Sequence, residues 1–246
     1  MAGSPAVISQ TSLVTPVSTP SSLSTMTPSI PPLPTPVFID WHYWQQRRPL
    51  VLELNNDVPP YLMLPEVHQV LEAAKDLELH FLLQTLWHSG ARISEALMLT
   101  RESFTLDHLR NSYVILSSLK KKRGHPIKNE KAAAPKRLIP IVDPAYIEAV
   151  KRFVATTNPR KGQPLFTLDR FQVDYRLKAL QKQLHLPVAS LSAHTFRHSF
   201  AVNALVQGRD IKTIQTWLGH KNIANTEVYL KVLSGETYHL MYGMQF

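Results

Sequence analysis

Residues Leu191 to Leu230 read LSAHTFRHSFAVNALVQGRDIKTIQTWLGHKNIANTEVYL. Ser192 is a residue type whose hydroxyl caps helix N-termini, and Gly208 is one that stops helices, so the spacing predicts a helix between them. His194, Arg197 and His198 then stand in its first turns, ahead of a largely apolar remainder. His194 and Arg197, three apart, share one face. Asp210 to Leu218 reads as a second, shorter helix stopped at Gly219; His220 follows directly, and Tyr229 comes nine residues later. A helix N-terminus offers free backbone N–H groups and the positive end of its dipole, so with His and Arg beside it, it suits an anion, most simply a phosphate.

HTFRHSFA followed by WLGHKNIANTEVY resembles the two linked signature boxes of the tyrosine recombinases, the phage integrase family: His-x-x-Arg, Leu-Gly-His, and a nucleophilic Tyr nine residues after that His. Three elements at the expected spacing are far more specific than any one alone. SGARISEALMLT, Ser89 to Thr100, resembles the first arginine box of the same family. The resemblance implies a mainly α-helical catalytic domain with a small antiparallel β-hairpin or sheet, the DNA breaking-rejoining enzyme fold. It makes Arg92 the first phosphate-clamping arginine and Glu95, one turn later, a supporting carboxylate.

The rest of the chain is consistent with a nucleic-acid partner. Of 246 residues, 44% are hydrophobic, enough for a core, and Lys+Arg 27 against Asp+Glu 18 leaves a formal charge of +9 and a pI near 9.8. That balance favours a polyanion. The absence of cysteine excludes disulfides, thiolate catalysis and Cys-ligated zinc, and fits a reducing cytoplasm. Residues 1–37 carry no charged side chain and are dominated by Ser, Thr and Pro, which reads as a disordered tail in part polyproline II, and not as a secretory signal. No stretch approaches the roughly 20 apolar residues of a membrane span, so a soluble, cytoplasmic, DNA-associated bacterial protein without a membrane partner is expected.

Residues 38–62, FIDWHYWQQRRPLVLELNNDVPPYL, form an aromatic and basic arm in which Trp41, Tyr43 and Trp44 lie beside Arg47 and Arg48. Such a mixture either stacks on and clamps a nucleic-acid backbone or packs onto the main domain. The main domain is expected over 63–246. Pro65 with Val67, Val70, Leu71 and Ala74 predicts an amphipathic helix ending near Leu77, followed by the more apolar helix LHFLLQTLW. SYVILSS (Ser112–Ser118) and KRLIPI (Lys136–Ile141) are β-rich runs flanking LKKKRGHPIKNEKAAAP. Asp143-Pro144 opens a helix, and Asp169 to Leu186 reads as another.

The hairpin and its edges hold Lys120, Lys121, Lys122, Arg123, Lys128, Lys131, Lys136 and Arg137 against a lone Glu130. A lysine run by itself is usually a solvated face. In the family this hairpin enters the DNA groove and its first strand carries a catalytic lysine. The resemblance therefore implies DNA contacts by Lys121, Lys122, Arg123, Lys128, Lys136 and Arg137, and an acid that protonates the departing 5′ hydroxyl. For that acid Lys120, at the strand end, is chosen over Lys121 and Lys122, a choice the sequence leaves open.

The chemistry the resemblance implies is a transesterification. Tyr229 attacks a DNA phosphodiester to leave a 3′-phosphotyrosyl link. Bidentate Arg92 and Arg197 favour the extra negative charge of the pentacoordinate phosphorus, where lysine would lose the fork geometry. His194 and His220 supply hydrogen bonds and acid/base help. One phosphate ester replaces another, so neither metal nor nucleotide cofactor is required. His194, His198 and His220 also mimic a metal triad, but Arg197 among them repels a cation. His198 reads as a supporting or structural residue.

Tyr238 and Tyr242 rival Tyr229 by residue type, and only spacing favours Tyr229. Leu240, Met241, Met244 and Phe246 either fold back on their own domain or form an apolar anchor for a neighbouring protomer; the resemblance favours the anchor, and implies four protomers on two specific DNA sites, a dimer at each. The short chain resembles plasmid resolvases and fimbrial invertases, the resolvase type preferred. Other readings of the same residues are a DNA-binding architectural or regulatory protein that makes no use of its tyrosine, and a type IB-like topoisomerase.

Overall fold

The structure is a computed structural model that describes residues 38–107, 111–118 and 135–234. Its order is α1 (Trp41–Leu54), α2 (Leu64–Ala73), α3 (Leu77–Ser89), α4 (Ile93–Ala96), a 3₁₀ turn (Arg101–Ser103), β1 (Phe104–Thr105), β2 (Tyr113–Ser117), β3 (Lys136–Pro140), α5 (Pro144–Thr157), α6 (Arg170–Gln183), α7 (Ala193–Val206), α8 (Ile211–Leu218), α9 (Ala224–Glu227) and a closing 3₁₀ segment (Val228–Leu233). The strands form one antiparallel sheet in the order β1-β2-β3, with Val114 opposite Ile139 and Ser117 opposite Lys136.

The helices begin where side chains can take the orphan N–H groups of a first turn. Ser192 accepts from Thr195 N–H while the Thr195 hydroxyl accepts from Ser192 N–H, which closes both ends of the α7 start. Asp169 and Gln172 close the α6 start in the same reciprocal way, and Asp143 and Asp210 cap α5 and α8 by accepting from Ala145 and Thr213 N–H. Asp76 also caps, accepting from Leu79 N–H at 2.8 Å. For that reason the helix expected to run to near Leu77 ends at Ala73, and α3 starts afresh. Gly90 and Gly219 end α3 and α8 in the left-handed conformation.

Two hydrophobic clusters meet on α7. In the first, α3 contributes Phe81, Leu82, Leu83 and Leu86, packed by Val67 and Val70 of α2, Val114 and Leu116 of β2, Phe153 of α5 and Phe196 of α7. Phe81 and Phe153 stack with centroids 4.1 Å apart. In the second, Ala201, Val202 and Leu205 of α7 meet Ile214 and Leu218 of α8, Tyr229 and Val232 of the closing segment, and Val51, Val58 and Tyr61. The helix that carries His194 and Arg197 is therefore fixed from both sides.

The arm belongs to that second cluster, so the boundary expected between 62 and 63 is not one in the packing. Trp41 and Trp44 pack against the cluster, and Arg48, buried, forms a bidentate pair with buried Glu66 of α2 at 2.9 and 2.7 Å. Arg47 donates to the Ser234 carbonyl at 2.6 Å, and Lys231 pairs with Asp57. Of the two readings of the arm, these contacts favour packing onto the main domain. Among the described residues no helix is long and apolar enough to cross a membrane.

Candidate active site

The first arginine box is built on the break between α3 and α4. Gly90, at φ 60°, turns the chain so that its carbonyl faces α7, and Arg92 follows at the α4 N-cap. A Cβ on Gly90 would lie 2.5 Å from Phe200 Cδ1. Gly90→Ala is therefore expected to cost roughly 2 kcal/mol, from left-handed strain and overpacking together, read as a lower urea midpoint at unchanged slope. A midpoint equal to wild type would contradict this packing.

Glu95, 3% exposed, is the hub of the site. It accepts from Arg92 N–H at 2.8 Å, Arg92 Nη1 at 3.1 Å, Ser118 Oγ at 3.2 Å, and Arg137 Nη1 and Nη2 at 2.8 and 2.6 Å. Burial alone would raise its carboxyl; the hydrogen bonds from Arg137 and the Arg92 backbone prevail and hold it at about 2. The Arg92 side chain remains 38% exposed and available to a ligand.

Arg137 departs from its expected groove-facing role. Its side chain is 9% exposed, and besides gripping Glu95 it donates from Nε to the Trp217 carbonyl at 2.7 Å. It ties β3 to the Leu-Gly-His turn, so close to Gly219 that a Cβ there would meet Arg137 Cδ at 3.2 Å. Strand parity carried the signal: Arg137 and Ile139 point inward while Lys136, Leu138 and Pro140 are exposed. Lys136 stays on the solvent side. Lys120, Lys121, Lys122, Arg123 and Lys128 lie outside the described residues, as do Lys131 and the segment with Tyr238, Leu240, Met241, Tyr242, Met244 and Phe246.

Arg197, 3% exposed, joins the two glycine turns. Nη1 donates to the Gly90 carbonyl and Nη2 to the Leu218 carbonyl, both at 2.5 Å. Burial, then the charges of Arg92 and Arg137, lowers it to about 9, which leaves it cationic at neutral pH. Three guanidinium groups thus face one carboxylate, a surplus of positive charge suited to an anion.

His220 follows Gly219, with Nδ1 2.9 Å from Thr226 Oγ1 and its carbonyl accepting from Gln215. Burial, then Arg197 and Arg92, lowers it to about 4. His194 is exposed on the first turn of α7, and partial burial with the charges of Arg170, Arg197 and Arg92 lowers it as well. The influence of Arg170 was invisible in sequence, because α6 and α7 are joined only by the fold. Tyr229 is 1% exposed: its ring lies in the second cluster, and its hydroxyl is 2.8 Å from His198 Nδ1. Burial raises the phenol to about 12 although Arg197 pulls it down. His198, read from sequence as a supporting residue, is thus in direct contact with the phenol. Among the described residues no three His, Asp or Glu side chains are grouped to hold a metal ion.

These histidines also set the response to acid. His88, His198 and His220 are each lowered from 6.5 to about 4, chiefly by burial. A group whose folded value is depressed contributes stability above its unfolded value and loses it as pH falls through the folded one. The melting temperature is expected to hold above pH 6.5 and to fall progressively from there to pH 4, ahead of the titration of Glu95. A flat melting profile from pH 7 to 4.5 would contradict the burial of these rings.

Two arginine forks, two histidines and a tyrosine, brought from the start of α4, α7, the turn after α8 and the closing segment to one positively charged locus, find their counterpart in a known family. Residues 61–236 match the model of the phage integrase family. This chain belongs to that family. It is 35% identical over 182 residues to a probable site-specific recombinase in the afa region of Escherichia coli, covering 72% of each chain. It is 32% identical to an Escherichia coli resolvase, with 81% of this chain and 83% of the relative covered. Among solved structures it resembles the XerA recombinase, with TM-score 0.60 and 21% identity over 77% of this chain and 67% of that one. It also resembles the XerH site-specific recombinase bound to its difH substrate, with TM-score 0.59 and 19% identity, and spans 54% of that chain's length. The phage integrase family member described here is a site-specific tyrosine recombinase with the mainly helical fold expected of one.

Proposed function

We propose that the protein cleaves and rejoins duplex DNA at a specific site through a 3′-phosphotyrosyl intermediate on Tyr229, and that it resolves plasmid multimers or cointegrates. The observation that carries this reading is the common framework of the two arginines: Arg197 is anchored to the carbonyls of Gly90 and Leu218, and Arg92 stands two residues beyond Gly90, braced by Glu95. A phosphate between them meets fixed donors, which favour the charge that develops on its non-bridging oxygens as phosphorus becomes five-coordinate.

Arg92 and Arg197 clamp that phosphate, and His194 and His220 add hydrogen bonds to it. Lys120 protonates the 5′ oxygen as it departs. Arg137 positions Glu95 and the His220 turn instead of touching DNA. The phenol is seated in the second cluster, 1% exposed, with its hydroxyl on His198 Nδ1. The resolvase assignment draws support from the relatives that carry that name, and the XerH structure on its difH substrate supports a duplex partner. A homotetramer across two sites follows from the same chemistry, because each exchange needs a second strand whose 5′ hydroxyl attacks the phosphotyrosine.

The test is a nicked suicide substrate, in which the cleaved end diffuses away and traps the enzyme on DNA. A denaturation-resistant adduct from the wild type supports the reading. Tight binding of recombination-site DNA without any adduct on any nicked substrate would reduce the protein to a DNA-binding member of its family.

A further inference from the structure

We infer that His198 receives the phenolic proton of Tyr229 during strand cleavage. The inference rests on the cleavage reading above and deepens it at one atom. His198 Nδ1 lies 2.8 Å from Tyr229 Oη, and it is the hydrogen-bond partner that the described residues give that oxygen. The ring of Tyr229 is 1% exposed and belongs to the hydrophobic cluster that also holds Val51, Ala201, Val202, Leu218 and Val232. Among the described residues, the basic atom hydrogen-bonded to Oη, and so placed to take its proton, is His198 Nδ1.

The other groups in the site are unsuited to the task. Arg197 can steady a phenolate but, being cationic, has no lone pair for a proton. His220 Nδ1 is engaged by Thr226 Oγ1, and Glu95 is held by two arginines. His194 lies on the exposed side of α7, its ring centroid 6.4 Å from that of His198.

The groups that bear on His198 are His194 and Arg197 on its own helix, Tyr229 on the closing segment and His220 after α8. Burial, then the charges of His194 and Arg197, lowers the imidazole to about 4 and keeps it neutral at pH 7, with a lone pair to offer. With the ring proton on Nε2, Nδ1 accepts the hydrogen bond from the phenol and can go on to take its proton.

The phenol is far less acidic than the imidazolium, so the proton moves only as the new bond forms. As Oη bonds to phosphorus, its O–H bond breaks and the proton passes to Nδ1. The bond from phosphorus to the 5′ oxygen breaks, and that oxygen takes a proton from Lys120. Rejoining runs the same steps backwards, with the His198 imidazolium returning its proton to Tyr229.

The experiment compares single-turnover adduct formation on a nicked substrate whose scissile 5′ oxygen is either normal or replaced by sulfur. Sulfur leaves without protonation, so it rescues loss of the acid but not loss of the base. His198→Asn keeps an acceptor for the phenol but cannot take its proton, and His198→Ala leaves space for added imidazole. Both are expected to be about 100-fold slower on both substrates, at unchanged DNA affinity. Imidazole should accelerate His198→Ala only, and Lys120→Ala should recover on sulfur.

Cleavage by His198→Asn within threefold of wild type would overturn the inference, whatever the folding of His198→Ala. So would recovery of either His198 variant on the sulfur substrate, which would move the residue to the leaving group. An absence of wild-type adduct on both substrates would instead sink the cleavage reading, and this inference with it.

Discussion

Tyr229→Phe is expected to melt and bind DNA nearly as the wild type does, and to form no covalent adduct on a nicked substrate. The substitution removes one oxygen and its hydrogen bond to His198. It leaves the ring in the cluster it shares with Val51, Val202 and Leu218. The stability change should therefore stay within about 2 kcal/mol, the cost of one lost hydrogen bond with an unpaired imidazole nitrogen. Removing a covalent nucleophile outright costs a rate factor on the order of 10⁶. The two readouts must separate: binding and melting near wild type, cleavage undetectable. An adduct that persists in Tyr229→Phe and maps by peptide sequencing to Tyr238 or Tyr242 would reassign the nucleophile.

Glu95→Ala should produce the largest loss of stability among the site variants. Glu95 is buried and receives both Nη atoms of Arg137, two donors of Arg92 and the Ser118 hydroxyl. Without it, Arg137 is left as a nearly buried, unpaired charge beside the Leu-Gly-His turn. Breaking a buried pair by removing one partner costs about 3–5 kcal/mol, which for a domain of this size lowers the melting temperature by roughly 10 °C. Arg137→Met in the same background should restore part of the loss, because an apolar side chain removes the stranded charge.

The pH dependence of this contribution runs with the direction of the shift. The carboxyl is depressed from 4.5 to about 2, so the stabilisation is complete above pH 4.5 and disappears as pH falls toward 2. A melting temperature for Glu95→Ala within 2 °C of wild type at pH 7 would mean that the hub carries no net energy. Because Glu95 also braces Arg92, the same variant should slow cleavage, and restoration of melting by Arg137→Met without restoration of cleavage would separate the two roles.

Local rules made much of the fold legible before any coordinates. Ser192, Asp143 and Asp169 mark helix starts because a short polar side chain satisfies its own first turn, and Gly219 marks an end because it alone accepts the left-handed turn without strain. Asp76 obeys the same rule, yet the apolar positions before it predicted a helix running on; the cap outweighed the periodicity. The arm shows the opposite difficulty. Arg48 and Trp44 sit beside each other in a sequence that suits nucleic acid equally well, and only Glu66, eighteen residues away, decides that Arg48 is buried.

The order of boxes along the chain, the caps that start the helices and the spacing from Leu-Gly-His to Tyr229 are properties of the sequence, and they suffice for the family and for naming the candidate reacting groups. They are local, and local chemistry obeys rules of fixed spacing. What Arg137 holds, which carbonyls anchor Arg197, and that His198 reaches the phenol were decided by the tertiary structure. Those contacts join residues separated by 42, 107 and 31 positions. No periodicity connects such residues, and only the packing of α3, β3 and the closing segment around α7 brings their polar atoms within hydrogen-bonding distance.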